Sequence, residues 1–279
     1  MRVHSFSVVV ATSAVLGLAC PTAVWAVVPL VAPPVPKRVA LADLVVVGKV
    51  TAIEDDLVEA PPLLKIPGVS KKVSYRVASL TIDSALLGGK EGDTKIRIGV
   101  FQPPKKAPKV QFSVGQEGCF FLRKHPDEPF YIVQEPYELL SKANNKDFDK
   151  ELSLAKKCAR LLTDPNAGLE AKEADDRLLT AAMLVFRART PMAVYTKEPK
   201  TEPIDAGQSK SILTILAEAD WTERNLPSAM APVSLFLYLG LTEKDGWLPP
   251  KDVSALPDAA RQWLKKNAAD FRIRRYVAE

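Results

Sequence analysis

Histidine is almost missing from this 279-residue chain; the two present are His4 and His125. So small a supply excludes a metal site built from a histidine cluster and any triad that uses imidazole as its base. The sequence also lacks H-E-x-x-H, G-x-S-x-G, a P-loop and the glycine pattern of a dinucleotide-binding fold, so no cofactor is expected. Glycine is scarcer than proline, 13 against 23, and the prolines gather at Pro29–Pro36, Pro61–Pro67 and Pro103–Pro108, which marks linkers and stiff loops. What remains is ordinary for a globular protein: 47% hydrophobic and 25% charged residues. The formal net charge is +5; taking away residues 1–26 removes Arg2 alone and leaves +4. That is too mild for the dense basic stripe of a nucleic-acid binder, so no nucleic acid is expected as a partner.

Met1–Ala26 has the three parts of a secretory signal. Arg2 and His4 form a weakly basic start, Phe6–Ala19 is apolar apart from small hydroxyl residues, and Val24-Trp25-Ala26 offers a cleavage site after Ala26. The apolar part falls short of the roughly 20 residues a membrane helix needs. Cys20 has some of the look of a lipidation site, but Gly17 stands where a larger aliphatic residue belongs and Pro21 follows it, which speaks against lipid anchoring. No later stretch is long and apolar enough to span a membrane. The expectation is an exported protein, periplasmic or extracellular, without an integral membrane segment once the signal is removed.

The rest of the chain divides by period. Residues 27–40 read as a Pro-rich tether with little regular structure, and 41–141 as a barrel domain. Leu44–Ile53 is rich in β-branched residues and reads as a strand buried on both faces at its start. Glu54–Lys72 reads as a loop, and Val73–Leu87 as a second strand. In Thr94–Val100, Ile96, Ile98 and Val100 alternate with Lys95 and Arg97. Gly118–Leu122 and Phe130–Val133 supply two more strands. Short strands without helices between them suggest a five-stranded antiparallel barrel, since closure removes exposed edges. From 147 to 279 the expectation is an all-helical domain. Phe148, Leu152, Ala155, Ala159 and Leu162 share a helix face. Further helices are marked by Leu178–Phe186, by Ile212–Ala219 behind Asp205 with Gln208, by Val233–Leu239 (apolar all round and so expected at the centre), and by Ala260, Trp263 and Leu264 after Pro257. The fold class expected is α+β.

The strand-rich half resembles the netrin-type OB-fold module shared by tissue inhibitors of metalloproteinases and their bacterial relatives. The likeness rests on Ala42–Val50 as the opening strand, on Tyr75–Leu80 leading to Leu86-Leu87-Gly88-Gly89, and on Val114-Gly115-Gln116-Glu117 before the strand Cys119–Leu122. It implies a five-stranded OB-like barrel and a protein-binding role. Inhibition in that family resembles a wedge led by an N-terminal cysteine that chelates zinc; the start expected here is Val27 with no cysteine nearby, so zinc chelation does not carry over. The helical half resembles no family.

Few residues invite chemistry. Asp55/Asp56 and Asp175/Asp176 are paired acids, more simply read as solvated surface, and His125 precedes Pro126 in an expected exposed turn. Cys119 and Cys158 would pair across an oxidising compartment, closing a loop of about 40 residues worth roughly 3–4 kcal/mol, or remain two buried thiols. Lys105, Lys106 and Lys109, with Arg272, Arg274 and Arg275, would make a basic patch for an anionic polymer if loops and C-terminus converge. The leading expectation is a non-enzymatic envelope protein that binds another envelope or extracellular protein through barrel loops or the barrel–helix junction. A hydrolase of unfamiliar type using Asp, Glu and Lys in a barrel–helix cleft, and a structural envelope component, stand as alternatives.

Overall fold

The fold is set by strands whose two faces are both apolar and by one helix buried nearly all round. The computed structural model describes residues 32–63, 72–90, 92–103, 110–191, 200–222 and 227–277. The expected signal, with its cleavage site at Ala26, the adjoining residues Val27–Val31, and Lys105, Lys106 and Lys109 lie outside these. The elements are α1 (Val35–Leu41), β1 (Leu44–Ala60), β2 (Val73–Leu87), β3 (Lys95–Gln102), β4 (Glu117–Lys124), β5 (Tyr131–Ile132), β6 (Leu139–Ser141), α2 (Phe148–Thr163), α3 (Pro165–Leu169), α4 (Ala174–Arg189), β7 (Thr201–Pro203), α5 (Ala206–Glu218), α6 (Pro232–Tyr238), α7 (Leu256–Asn267) and β8 (Arg274–Tyr276). The fold is mixed α+β.

Six strands form one sheet in the order β1-β2-β3-β5-β4-β6, and β1 also pairs with β4. All neighbours are antiparallel except β3 and β5, which run parallel at Ile98 and Gly99 opposite Tyr131 and Ile132. Alternation along β1 explains its double burial. Leu44, Val46 and Val50 join Ala78, Leu80, Ile98, Val100, Phe120 and Leu122 in one apolar cluster. Val45 turns the other way and joins Cys119, Phe121 and Leu140 in a second cluster together with the helices. Each large side chain so buried contributes on the order of 1.5–3 kcal/mol. Gly88 turns the chain after β2 at φ +73, with the site of a Cβ only 2.0 Å from the Asp43 carbonyl oxygen, so no other residue fits there.

The helical portion packs on that second face of the sheet. α2 buries Phe148, Ala155, Ala159 and Leu162, as its spacing predicts. α4 buries every residue from Leu179 to Phe186 and is the central helix. That position was expected for α6, which buries Leu235 and Phe236 but leaves Leu237 56% exposed. Asp205 caps α5 by accepting a hydrogen bond from the Gln208 amide at 2.8 Å. Among the described residues no helix is long and apolar enough to cross a membrane.

Several expectations are corrected. The tether contains α1: Val35, Pro36, Val39 and Ala40 are buried, and Pro36 is harmless in a first turn whose amides have no partner in any case. β1 continues to Ala60 across the stretch expected as a loop, pairing with Val73–Tyr75 after a register shift between Ile53 and Leu57. β6 and α3 were not foreseen, being too short to show a period. The rear portion is not all helical: β7 and β8 pair as a two-stranded ribbon, held by polar side chains and therefore silent in apolar patterning. Finally, the portions expected as separate domains, 41–141 and 147–279, lie in one compact unit that starts at Ala32, and their apolar clusters merge along β1, β4 and β6.

Candidate functional site

The most built-up polar constellation surrounds α1. Its apolar positions Val35 and Val39, with Pro36 and Ala40, face the core, which leaves Lys37 and Arg38 at the seam between helix and sheet. Arg38 is long but only 8% exposed along its side chain. Its Nη1 donates to the Tyr137 carbonyl at 3.1 Å and its Nη2 to Glu151 Oε2 at 2.8 Å. The guanidinium carbon lies 5.1 Å from the centre of the Phe121 ring. Nε of Arg38 is buried and has no hydrogen-bond partner, and so is the Thr190 hydroxyl at the C-terminus of α4.

Two further cations flank Arg38. Lys37 donates to the Tyr238 hydroxyl and sits over the rings of Phe186 and Tyr238, 5.4 and 4.9 Å from their centres. Arg123, on β4, places Nε 3.9 Å from Glu138 Oε1, an ion pair without direct hydrogen-bond contact. Glu138 is committed elsewhere: its Oε2 accepts from the Gln134 and Glu135 amides at 2.6 and 3.2 Å. Three cavities meet at Arg38. One of about 490 Å³ reaches Tyr137, Asn144, Lys146 and Glu151. Another of about 410 Å³ is lined by Pro33, Val35, Leu154, Leu178 and Met230. The third, about 210 Å³, lies beneath α1 against Lys37, Phe121, Arg123, Glu138 and Thr190.

Burial raises the Glu138 carboxyl above its ordinary value of 4.5, and the two amide hydrogen bonds and Arg123 only partly offset this. A carboxyl raised on folding contributes stability that is complete below 4.5 and is lost as pH climbs through its folded-state value. Glu138→Gln keeps an amide acceptor and removes the charge. Thermal melts taken from pH 4.5 to 7 should therefore fall less in the variant than in the wild type; an identical pH slope in both would contradict the burial cause.

The residues singled out from sequence are dispersed. Asp55 and Asp56 are exposed on β1, and Asp175 is exposed on α4. Asp176 is held by Lys157 and Arg160. Glu54 is clamped by Arg97 in two 2.8 Å hydrogen bonds, and these hold its carboxyl below the usual range. A carboxylate so fixed in its ionised form is poorly suited to deliver a proton. Among the described residues no three of His, Cys, Asp and Glu stand together as metal ligands would. Arg274 bonds to Thr201 and Arg275 pairs with Glu202 across the β7–β8 ribbon, while Arg272 donates to the Ala269 and Phe271 carbonyls. These arginines are engaged within the chain itself.

His125 is a correction: it is 1% exposed rather than at an open turn. Its Nδ1 accepts from the amides of Asp127 and Glu128 at 3.1 and 3.0 Å, which puts the proton on Nε2, facing the Pro61 carbonyl at 2.9 Å. The ring organises the turn before β5 and packs on Tyr75 and Phe130.

Cys119 and Cys158 are buried free thiols in the cluster shared by sheet and helices, and burial pushes each up to about 12. In the native protein neither should react with a thiol-specific disulfide reagent over hours, and both should react at once in denaturant without reductant. Two thiols that appear only after reduction would mean a bond between them.

Sequence reasoning missed Lys37, Arg38, Arg123 and Glu138. A signal existed in Val35 and Val39 at helical spacing around the first-turn Pro36, but the neighbouring prolines pointed to a tether. No protein-family model matches the chain, and no curated protein matches it in sequence.

Proposed function

We propose that this chain is a non-enzymatic binding module of the cell envelope, exported by its first residues and built on a netrin-like OB-type barrel. The barrel is supported by a circuit of pairings: β1 to β2, β2 to β3, β3 to β5, β5 to β4, and β4 back to β1. A parallel β3–β5 pair inside an otherwise antiparallel set agrees with a sheet that curls until its edges meet. The partner is an acidic face of another envelope or extracellular protein. One observation carries this choice. The chain leaves β1 at Ala60 opposite Val73, and leaves β3 at Gln102 opposite Ser74, so two lysine-bearing connections start from the same end of the sheet. In sequence they hold Lys65, Lys71, Lys105, Lys106 and Lys109, and charge of one sign steers an oppositely charged partner.

The test is capture of cross-linked partners from envelope extract by the tagged protein, beside a variant with those five lysines changed to Gln. The wild type should be recovered outside the cytoplasm starting at Val27 and should retain an acidic protein that the variant loses. Retention of the same partner by both, or a wild type confined to the cytoplasm, would defeat the proposal.

A further inference from the structure

We infer that the outer edge of β1 beyond Val50 takes up an extended, basic segment of another protein as an added strand. β1 has neighbours on both sides only at its start. β4 lies against Leu44–Lys49. The last main-chain bonds on that side run from Val50 N–H to the Gln116 carbonyl at 2.9 Å and from Gly115 N–H to the Val50 carbonyl at 2.8 Å. From Thr51 to Ala60 the only strand partner is β2, and among the described residues no main-chain bond closes the other side. At roughly 3.3 Å per residue this edge runs for about 30 Å. Residues along such an edge turn N–H and C=O outward in alternation, which is the template that strand addition uses. Thr51, Ala52, Asp55, Asp56, Leu57 and Glu59 are exposed. β6, which ends the sheet elsewhere, offers only Leu139–Ser141.

The charges along the edge choose the occupant. Between Ile53 and Leu57 the register against β2 shifts, and Arg76 holds this irregular stretch by donating to the Glu54 and Asp55 carbonyls at 2.9 and 2.6 Å. Glu54 is clamped by Arg97, and Glu59 accepts from the Ser74 hydroxyl. Asp55 and Asp56 are exposed and, among the described residues, have no ion pair. Four carboxylates (Glu54, Asp55, Asp56 and Glu59) set against Arg76 and Arg97 leave two negative charges on the stretch. A second copy of β1 would bring the same acids and be repelled, whereas a strand bearing lysine or arginine is attracted. Leu57 is 43% exposed and gives an apolar contact to the added strand. This edge does not depend on the partner surface proposed above, which lies with the lysines beyond Ala60.

The probe is a capped, fluorescent peptide alternating Lys and Val over about nine residues, the span of the edge, titrated into the full mature protein by anisotropy. Beside it stand a Glu-Val counterpart and a Lys-Val peptide N-methylated at every residue, which keeps the charge and loses every main-chain donor. The Lys-Val peptide should bind saturably and slow hydrogen exchange at amides within Thr51–Leu57. The N-methylated peptide should bind at least about tenfold more weakly, since several main-chain hydrogen bonds are lost, and the Glu-Val peptide should not bind. Asp55→Asn together with Asp56→Asn should weaken the Lys-Val peptide by about fivefold, the worth of two exposed ion pairs. Both side chains are exposed, so that variant should melt as the wild type does. Absence of saturable binding, equal binding of the N-methylated peptide, new protection only outside Thr51–Leu57, or unchanged affinity in the double variant would overturn the assignment. The variant with five lysines changed to Gln should bind the peptide as the wild type does, so the two proposals fail separately.

Discussion

Val39→Asp is expected to unfold the whole described unit, not merely to release its first residues. Val39 is fully buried in α1 and belongs to the cluster that also holds Phe121 of the sheet and Phe186 of α4. An aspartate placed there puts an ionised carboxylate into an apolar cluster, and an unpaired buried charge costs at least about 4 kcal/mol. Typical domains have only about 5–15 kcal/mol to lose. Urea unfolding followed by tryptophan fluorescence reports Trp221, Trp247 and Trp263, all in the helical portion and far from residue 39 in sequence. Their transition should move to much lower urea. A tether would leave the midpoint where it was.

The second large effect contrasts two neighbours. Phe120 and Phe121 are consecutive in β4, so their side chains point to opposite faces. Phe120 lies in the cluster with Leu44 and Leu80, while Phe121 faces the helices under Arg38. Neither is more than 2% exposed. Phe120→Ala and Phe121→Ala should therefore each cost about 3–5 kcal/mol in chemical denaturation. In a sheet with one face in water, one of the pair would cost almost nothing. A near-neutral Phe121→Ala would mean that the helices do not cover the strand.

The same residues explain what was legible beforehand. Ile96, Ile98 and Val100 alternate with charged neighbours, and β3 has them on the buried side. The unbroken apolar run at Leu44–Val47 foretold burial on both faces, because a strand covered on each side has no polar positions to spare. Helical spacing from Phe148 onward located α2, the start behind Asp205 located α5, and the apolar run Val233–Leu239 located α6. These signals come from elements long enough to repeat their own period.

Where the element is too short to repeat its period, tertiary contacts decide, and those are not written locally. α1 spans two turns, carries Pro36 and follows Pro34, so its amphipathic face is visible only once the sheet that receives it is known. β7 and β8 hold together through Arg274, Arg275, Thr201 and Glu202, residues that read as exposed loop. His125 is buried because two amides and the Pro61 carbonyl, 64 residues away, satisfy its ring, and nothing near Pro126 announces that. The Arg38 constellation shares this origin: Arg38, Tyr137, Glu151 and Phe121 come from four distant segments. Individual polar residues of that kind become a site only through the fold.

Sheet and helices are held to be one cooperative body joined through α1, β4 and α4, and native-state hydrogen exchange measures this directly. Amides of Val39–Leu41, Cys119–Leu122 and Ala182–Phe186 should exchange through a common opening whose free energy equals that of global unfolding, with the same dependence on denaturant. Protection in Ala182–Phe186 that outlasts protection in Cys119–Leu122 by several kcal/mol would show two bodies that open separately, and would contradict a shared core.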